Sequence, residues 1–323
     1  MDALAEMLRV TRVRGAVMAQ VLAGDPWGLD VADSGSATLH AVTAGTAWLR
    51  VPGQRPRQLM PGDIVMLPAG AGHVIASAAT GPAVELGRVA KAQLRTPGGE
   101  LRVGGDGARS RFLCACYDYD HEVALPLMAA LPPVVHIPAG EHGPDTAAGH
   151  AGSVLRMLTG ELTGGHHGSA TAVDRLLDVL LIQILRAWLA RPDAAAGTSW
   201  LTGLRDPVTA AALTRIHTEP ARAWTGQSLA RTVGVSRATL ARRFGDVVGE
   251  PPLTYLTRWR MDLAAQALRD TDRPVDAIGR DVGYTSGFAF NRAFSRTHGT
   301  PPGRYRHTAR SAAISSNRPP ETR

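Results

Sequence analysis

The feature that most constrains the fold is a short helical pattern that occurs twice in the last third of the chain. Each copy has a helix, a glycine at a turn, and a serine before a second helix. The copies span residues 225–244 and 275–298, with Gly234 and Ser236 in the first and Gly283 and Ser286 in the second. Glycine tolerates the positive φ of a tight turn, and serine is a preferred N-cap. The sequence therefore predicts two helix-turn-helix units, joined by a helix from about Pro252 to Arg269.

Charge is distributed unevenly along the chain. Residues 201–323 carry 19 Arg and 10 acidic residues, a net charge of +9, whereas the first 200 residues carry 16 basic and 18 acidic residues. A basic region beside a mildly acidic one indicates that the C-terminal part meets a polyanion such as DNA. A GC-rich genome would explain why arginine outnumbers lysine. It would not explain why the net charge is negative in the first 200 residues and positive in the rest.

Several segments of the C-terminal third also carry a family resemblance. LARTVGVSRATLARRF, VGYTSGFAFNRAF and PPGRYR resemble the DNA-binding domain of the AraC/XylS family of bacterial transcription regulators, over about residues 206–306. The resemblance implies two recognition helices in successive major grooves, about 34 Å apart. The positions facing DNA would be Arg237, Ala238, Thr239, Ala241, Arg242 and Arg243 in the first unit, and Gly287, Phe288, Asn291 and Arg292 in the second.

Specific contacts follow from the side chains at these positions. Arg242 has the geometry for a bidentate contact with guanine, and Asn291 for one with adenine. Arg237 and Arg243 could equally contact phosphates, which set the register but read no sequence. Alanine and glycine cannot donate or accept through a side chain, so we expect DNA shape to contribute to recognition.

The first part of the chain reads as an all-β sandwich or barrel over about residues 1–120, because short apolar segments alternate with Gly and Pro turns. GDIVMLPAGAGH, residues 62–73, matches the second cupin motif, and His40 aligns with the first histidine of the first motif. This part resembles the cupin domain common at the N-terminus of AraC-type regulators. The resemblance implies an effector pocket that contains His40, Trp48 and His73.

The metal site of a cupin enzyme is only partly retained. Such enzymes hold the metal with three or four His or Glu ligands, whereas here Val42 stands at the second histidine position and Thr46 or Ala47 at the glutamate position. Two ligands make a weak catalytic site. His40 and His73 could bind a divalent metal, hydrogen-bond an effector or be structural, so a metal is possible but no cofactor is required.

The chain has two cysteines, Cys114 and Cys116. This number excludes a disulfide scaffold and favours a reducing cytosol. In a strand the two thiols would face the same side, either as buried core thiols or as a redox or metal sensor.

The sequence contains no run of about eighteen apolar residues, so it predicts no membrane span. We expect a cytoplasmic, nucleoid-associated protein.

A helix is predicted over about residues 171–190, capped by Ser169 or Thr171, because apolar residues recur three and four apart. Its apolar stripe would either pack on the barrel or form a dimer seam. The predicted organisation is a cupin sensor and dimerisation domain at 1–190, a linker at 191–205, a DNA-binding domain at 206–306 and a disordered tail at 307–323.

The expected fold class is α+β with two domains. An N-terminal β-barrel cupin with a helical dimerisation segment precedes an all-α domain with two helix-turn-helix motifs. The expected function is a transcription regulator, by family behaviour an activator, that binds promoter DNA as a homodimer, senses a small-molecule effector and works with RNA polymerase. It is not expected to be an enzyme. The alternatives are a constitutive DNA-binding dimer and a metal-dependent cupin enzyme fused to a DNA-binding domain.

Overall fold

The computed structural model describes residues 3–11, 13–94, 99–119, 128, 130–139, 143, 145–191 and 198–316. The chain divides into two compact units. The sheet unit comprises residues 12–196, and the helical unit comprises residues 1–11 together with 197–323. No helix among the described residues is long and apolar enough to cross a membrane.

Two sheets form the sheet unit. Its described strands are β1 (Arg14–Gly24), β2 (Gly28–Val31), β3 (Ala37–Ala44), β4 (Ala47–Arg50), β5 (Arg57–Leu59), β6 (Ile64–Leu67), β7 (His73–Ala76), β8 (Val84–Glu85), β9 (Glu100–Gly104), β10 (Arg109–Asp118) and β11 (Val135–Ile137). One sheet has the order β11–β6–β3–β10–β1–β9, and the other the order β5–β4–β7–β2–β8. The alternating burial along β1 shows that one face of the sheet points into a core.

The core of the sheet unit is apolar and well packed. Trp27 stacks on Phe112 with ring centroids 5.2 Å apart, and Leu29 and Leu49 are almost fully buried beside them. Burial of this apolar surface stabilises the unit by about 25 cal/mol for each Å² removed from water. His40 and His73 are also buried in this unit, which places two polar side chains among apolar ones.

Three helices complete the described part of the sheet unit: α2 (Leu86–Gln93), α3 (Ala147–Gly164) and α4 (Ser169–Ala190). The apolar stripe of α4 is buried within the unit, and the Tyr117 hydroxyl donates to the Leu177 carbonyl at 2.9 Å. The stripe therefore packs on the sheet, and dimerisation, which stays a prediction, would use another surface. The predicted serine or threonine cap was wrong. Gly168, with φ +83°, precedes α4 because glycine adopts this conformation readily.

The described helices of the helical unit are α1 (Ala3–Thr11), α5 (Trp200–Gly203), α6 (Pro207–Thr218), α7 (Gly226–Thr232), α8 (Arg237–Val248), α9 (Pro252–Asp270), α10 (Val275–Asp281), α11 (Gly287–His298) and α12 (Pro302–Ser316). The two predicted helix-turn-helix units are α7–α8 and α10–α11. Gly234 and Gly283 have φ +76° and +91° at their turns, and Ser236 and Ser286 cap their second helices. The predicted two-domain α+β fold class is confirmed.

Three predicted boundaries differ from the structure. Helix α1 belongs to the helical unit, because Ala3, Leu4 and Met7 are buried there. The second half of the predicted linker contains α5, which a capping box between Ser199 and Thr202 starts. Helix α12 continues to residue 316, inside the predicted disordered tail, because no proline interrupts the sequence between positions 302 and 319.

Candidate DNA-binding surface and sensor site

The second helix of the first helix-turn-helix unit, α8, exposes arginine to solvent. Arg237, Ala238, Ala241 and Arg242 are exposed, and Leu240 on the opposite face is buried. Arg242 Nη1 lies 3.5 Å from Asp246 Oδ2, and both side chains are mostly exposed, 71% and 62%. Such exposed pairs contribute about 0–1 kcal/mol, so little free energy opposes a contact between Arg242 and DNA.

Two other predicted DNA contacts have partners inside the helical unit. Arg243 Nε donates to Asp206 Oδ2 at 3.0 Å, while Asp206 accepts from the Thr209 backbone at the N-terminus of α6. Burial alone would raise the Asp206 pKa, but hydrogen bonds from Thr209 and Arg243 outweigh it and lower that pKa. The Thr239 hydroxyl lies 2.9 Å from the Ser236 hydroxyl. The structure therefore engages Arg243 in packing α8 against α6, a role that sequence reasoning missed.

The second recognition helix, α11, carries a different set of exposed groups. Phe288 is 79% exposed, while Phe290 and Phe294 on the other face are buried. Asn291 Nδ2 donates to the Gly287 carbonyl at 2.8 Å, and Arg292 is exposed. An exposed aromatic ring at a recognition-helix N-terminus can contact the methyl group of thymine, which is the apolar feature of the major groove.

The two cupin-motif histidines form one buried hydrogen-bonded chain. His73 Nδ1 donates to the Ala71 carbonyl at 2.8 Å, so in the neutral ring Nε2 is an acceptor. His40 Nε2 donates to it at 2.7 Å. His40 Nδ1 is then an acceptor, and the Cys114 thiol lies 3.2 Å away as the donor. Each nitrogen of both rings therefore has a partner.

The side chains in this hydrogen-bonded series, His73, His40 and Cys114, are uncharged. Burial, with a smaller effect of His73, holds the pKa of His40 well below its usual value. Burial also lowers the pKa of His73, despite opposing effects of the Ala71 carbonyl and Asp30. The pKa of the Cys114 thiol is raised to about 12 by burial. A satisfied, neutral chain of this kind is what a packed interior requires.

The histidine pair does not fit a metal ion in this arrangement. The two Nε2 atoms lie 2.7 Å apart, whereas two nitrogens on a tetrahedral zinc are separated by roughly 3.3 Å. Cys114 contacts the opposite nitrogen of His40, so the three side chains do not converge on one point. Within the described ranges, no group of three or more His, Cys, Asp or Glu could hold a metal.

The other predicted sensor residues lie nearer the surface. Trp48 is half-buried on β4, where it pairs with Ala76 of β7. Cys116 is half-buried, and its Sγ lies 3.4 Å from Met18 Sδ. Burial, together with Asp118, raises the pKa of the Cys116 thiol. Neither environment activates a thiol, because thiolate formation is disfavoured at both cysteines.

A cavity of about 690 Å³ lies between the sheet and α3. Val42, Ile64 and Ile137 line it from the strands, and Ser153 and Arg156 line it from the helix. The predicted pocket residues His40, Trp48 and His73 are not part of this lining. Sequence reasoning missed the cavity, and the glycines at positions 149, 152 and 160 on one face of α3 were the available signal.

Comparison with known proteins also separates an N-terminal from a C-terminal part of the chain, although the N-terminal match includes α1. A cupin family model matches residues 2–190, and a helix-turn-helix domain model matches residues 229–308. An AraC-like transcription regulator of Streptomyces lividans is 37% identical over 95% of this chain and 98% of its own. The RCS-specific transcriptional activator RclR of Escherichia coli K12 is 26% identical over 97% of this chain and 100% of its own.

Among solved structures, the DNA-binding domain of AdpA in complex with a target DNA is 28% identical and covers 34% of this chain and 97% of that one, with a TM-score of 0.32. A sheet unit that matches cupins and a helical unit with two helix-turn-helix motifs define a DNA-binding transcription regulator. The chain belongs to the AraC family. Its relatives are transcription regulators rather than enzymes.

Proposed function

We propose that this AraC-family regulator reads a promoter through α8 and α11 while its sheet unit binds a small effector. It acts in the cytoplasm as a homodimeric activator and works with RNA polymerase. The observation that carries the proposal is the pair of serine-capped recognition helices, which expose Arg237, Arg242 and Arg292. An effector changes promoter occupancy only if it binds two conformations of the regulator with different affinity.

The distribution of arginine partners supports base reading at some positions and a structural role at others. Arg237 and Arg292 form no ion pair among the residues that the structure describes, and Arg242 has only the exposed pair with Asp246. Arg243 is held by Asp206. An arginine without a strong partner keeps its planar fork free for guanine or phosphate.

The first test is selection of binding sites. The full-length protein is used to recover fragments of genomic DNA, and fluorescence anisotropy measures its affinity for the recovered site and for random DNA. Arg242→Ala should weaken specific binding by about 1–3 kcal/mol and relax one position of the site. Arg88→Ala, an exposed arginine on α2, is the matched control. An equal loss on both DNAs would assign Arg242 to a phosphate.

The second test is transcription from the recovered promoter with purified RNA polymerase. Small-molecule extracts of the producing cells are added to the reaction, and transcript and operator occupancy are measured together. Effector sensing predicts that an extract fraction changes both. Promoter activity that is the same with every fraction would instead favour a constitutive DNA-binding dimer.

A further inference from the structure

Among the described residues that line the cavity between the sheet and α3, one side chain is ionisable, Arg156. Its Nη2 donates to the Ser153 hydroxyl at 2.8 Å, and it pairs with no carboxylate in the part of the chain that the structure describes. A guanidinium has five N–H donors in a planar fork that matches a carboxylate. Arg156 is exposed to solvent at the edge of the cavity, and it has donors left for an anion. One isolated guanidinium suits a monoanion.

The hydroxyl groups that line the cavity already donate hydrogen bonds to backbone carbonyls. Thr159 Oγ1 donates to the Leu155 carbonyl at 2.9 Å, and Thr163 Oγ1 donates to the Thr159 carbonyl at 3.0 Å. The remaining hydroxyls, Thr43 and Ser153, also donate to backbone carbonyls. A hydroxyl in this state offers a ligand only lone pairs. Within the described lining, Arg156 is therefore the side chain that can donate to an acceptor on a ligand.

The opposite wall of the cavity is apolar. Val42, Ile64 and Ile137 come from β3, β6 and β11, and each is at most 3% exposed. Pockets for small molecules usually have about 300–1,000 Å³ and apolar walls with a few polar groups that fix orientation. At about 690 Å³, this cavity has the size and the division into apolar and polar walls that suit an amphipathic ligand.

Two glycines in α3 keep the cavity open although the helix does not need them. A Cβ at Gly160 would meet no atom within 4 Å, and a Cβ at Gly152 would meet only Arg156 Nη1, at 3.8 Å. Neither glycine has a positive φ. Glycine inside a helix costs roughly 1 kcal/mol relative to alanine. Packing and backbone conformation therefore both permit larger side chains, and the space next to Arg156 is what the glycines preserve.

We infer that this cavity binds an amphipathic monocarboxylate, with its apolar body on the strands and its carboxylate on Arg156. The inference deepens the sensing function proposed above and rests on it for its biological role. A ligand seated here contacts α3, and α3 is tied to α4 by the hydrogen bond from Ser169 Oγ to Glu161 Oε2, 2.8 Å long. From α4 the chain continues through residues 192–197 into the helical unit.

The test uses the full-length protein and a fluorescent amphipathic anion, 1-anilinonaphthalene-8-sulfonate. We expect saturable binding of one probe per chain, with displacement by benzoate but not by the neutral benzamide. Arg156→Gln should weaken probe binding about tenfold or more because the charge-assisted hydrogen bonds are lost. Gly152→Leu and Gly160→Leu should abolish binding by filling the cavity. Arg186→Gln and Gly87→Leu, an exposed arginine and an exposed helical glycine elsewhere in the unit, should bind the probe normally.

Folding and function are separated by two further measurements on the same samples. Thermal unfolding should show the leucine variants at least as stable as the parent, since a helical glycine is removed. Absence of saturable binding, or binding that survives Gly152→Leu and Gly160→Leu, would overturn the inference. If benzoate binds through Arg156 but operator affinity never responds to any ligand, the site stands and the sensing function fails. If an effector acts equally on the parent and these variants, sensing stands and this site is excluded.

Discussion

His217 donates from Nδ1 to the backbone carbonyl of Ala3, 3.2 Å away and 214 residues earlier in the chain. Its other nitrogen, Nε2, accepts from the Tyr255 hydroxyl at 2.8 Å, and its ring stacks on Trp259 with centroids 4.2 Å apart. Both nitrogens of a neutral imidazole are therefore satisfied inside an aromatic cluster. The N-terminal helix is thus part of the core of the helical unit, although the chain then leaves it to form the sheet unit.

Shortening a buried side chain of α1 should destabilise the helical unit. Met7 is 2% exposed, so Met7→Ala leaves a cavity and should cost about 2–5 kcal/mol. Hydrogen exchange of the α6 backbone, measured by mass spectrometry on the full chain, should rise accordingly. Met157→Ala is the same substitution at a helical methionine that is 60% exposed, and it should have little effect on α6. Equal exchange in the two variants would contradict the docking of α1 on this unit.

His217 should make the stability of the helical unit depend on pH. Burial lowers its pKa to about 3, despite the Ala3 carbonyl, whereas the unfolded chain has the ordinary value near 6.5. The stabilisation is fully present above pH 6.5 and is lost as pH falls from 6.5 towards 3, because acid protonates the unfolded state first. Between pH 7 and pH 5 the loss should be about 2 kcal/mol.

Urea unfolding of the parent and of His217→Gln at both pH values isolates this loss. The cost of His217→Gln should be about 2 kcal/mol smaller at pH 5 than at pH 7, since glutamine has no proton to gain in this range. His150→Gln, at an exposed histidine of α3, should keep the parent's pH dependence. Burial raises the pKa of Asp262 in the same unit to about 7, so that group adds stability over the same fall in pH and offsets the effect of His217 in the parent. A cost of His217→Gln that is the same at pH 5 and pH 7 would show that His217 is not buried as a neutral ring.

The two turn glycines should respond differently to the same substitution. Both have positive φ, so alanine at either position costs roughly 1–2 kcal/mol of backbone strain. A Cβ at Gly234 meets no atom within 4 Å, whereas a Cβ at Gly283 would lie 2.6 Å from the Ala221 carbonyl oxygen. Gly283→Ala should therefore lower the melting temperature and the DNA affinity more than Gly234→Ala. The reverse order would refute the close approach of the second turn to Ala221.

The sequence predicts the recognition helices well because their signals are local. Ser236 and Ser286 each accept from a backbone N–H three residues ahead, and the turn glycines lie two or three residues before them. Contacts between distant residues leave no such signal. The sequence around Arg243 does not indicate its hydrogen bond with Asp206, 37 residues earlier. The sequence of α1 likewise does not indicate the hydrogen bond between the Ala3 carbonyl and His217.

The sensor site shows the same limit. The cupin motif singled out His40 and His73, but only the pairing of strands brings Cys114 to His40 and completes the hydrogen-bonded chain. His73, His40 and Cys114 are thereby linked to one another inside the sheet unit, and an effector pocket at His40, Trp48 and His73 stays a prediction. The cavity beside Arg156 depends on Gly152 and Gly160, which have no side chains to fill it. A pattern of residue types along the sequence does not give the shape of such a cavity.

The burial of the two cysteines predicts unequal reactivity towards iodoacetamide. Alkylation requires the thiolate, and burial raises the pKa of both thiols, that of Cys114 to about 12. Cys116 is half-buried and should react slowly in the native protein, whereas Cys114, 3% exposed, should react only after unfolding. Peptide mass spectrometry at pH 8 over time measures both sites, and Cys116→Ser should leave a native protein that takes up no label. Rapid labelling of Cys114 in folded protein would mean that the interior of the sheet unit opens, and its hydrogen bond to His40 would then be a transient one.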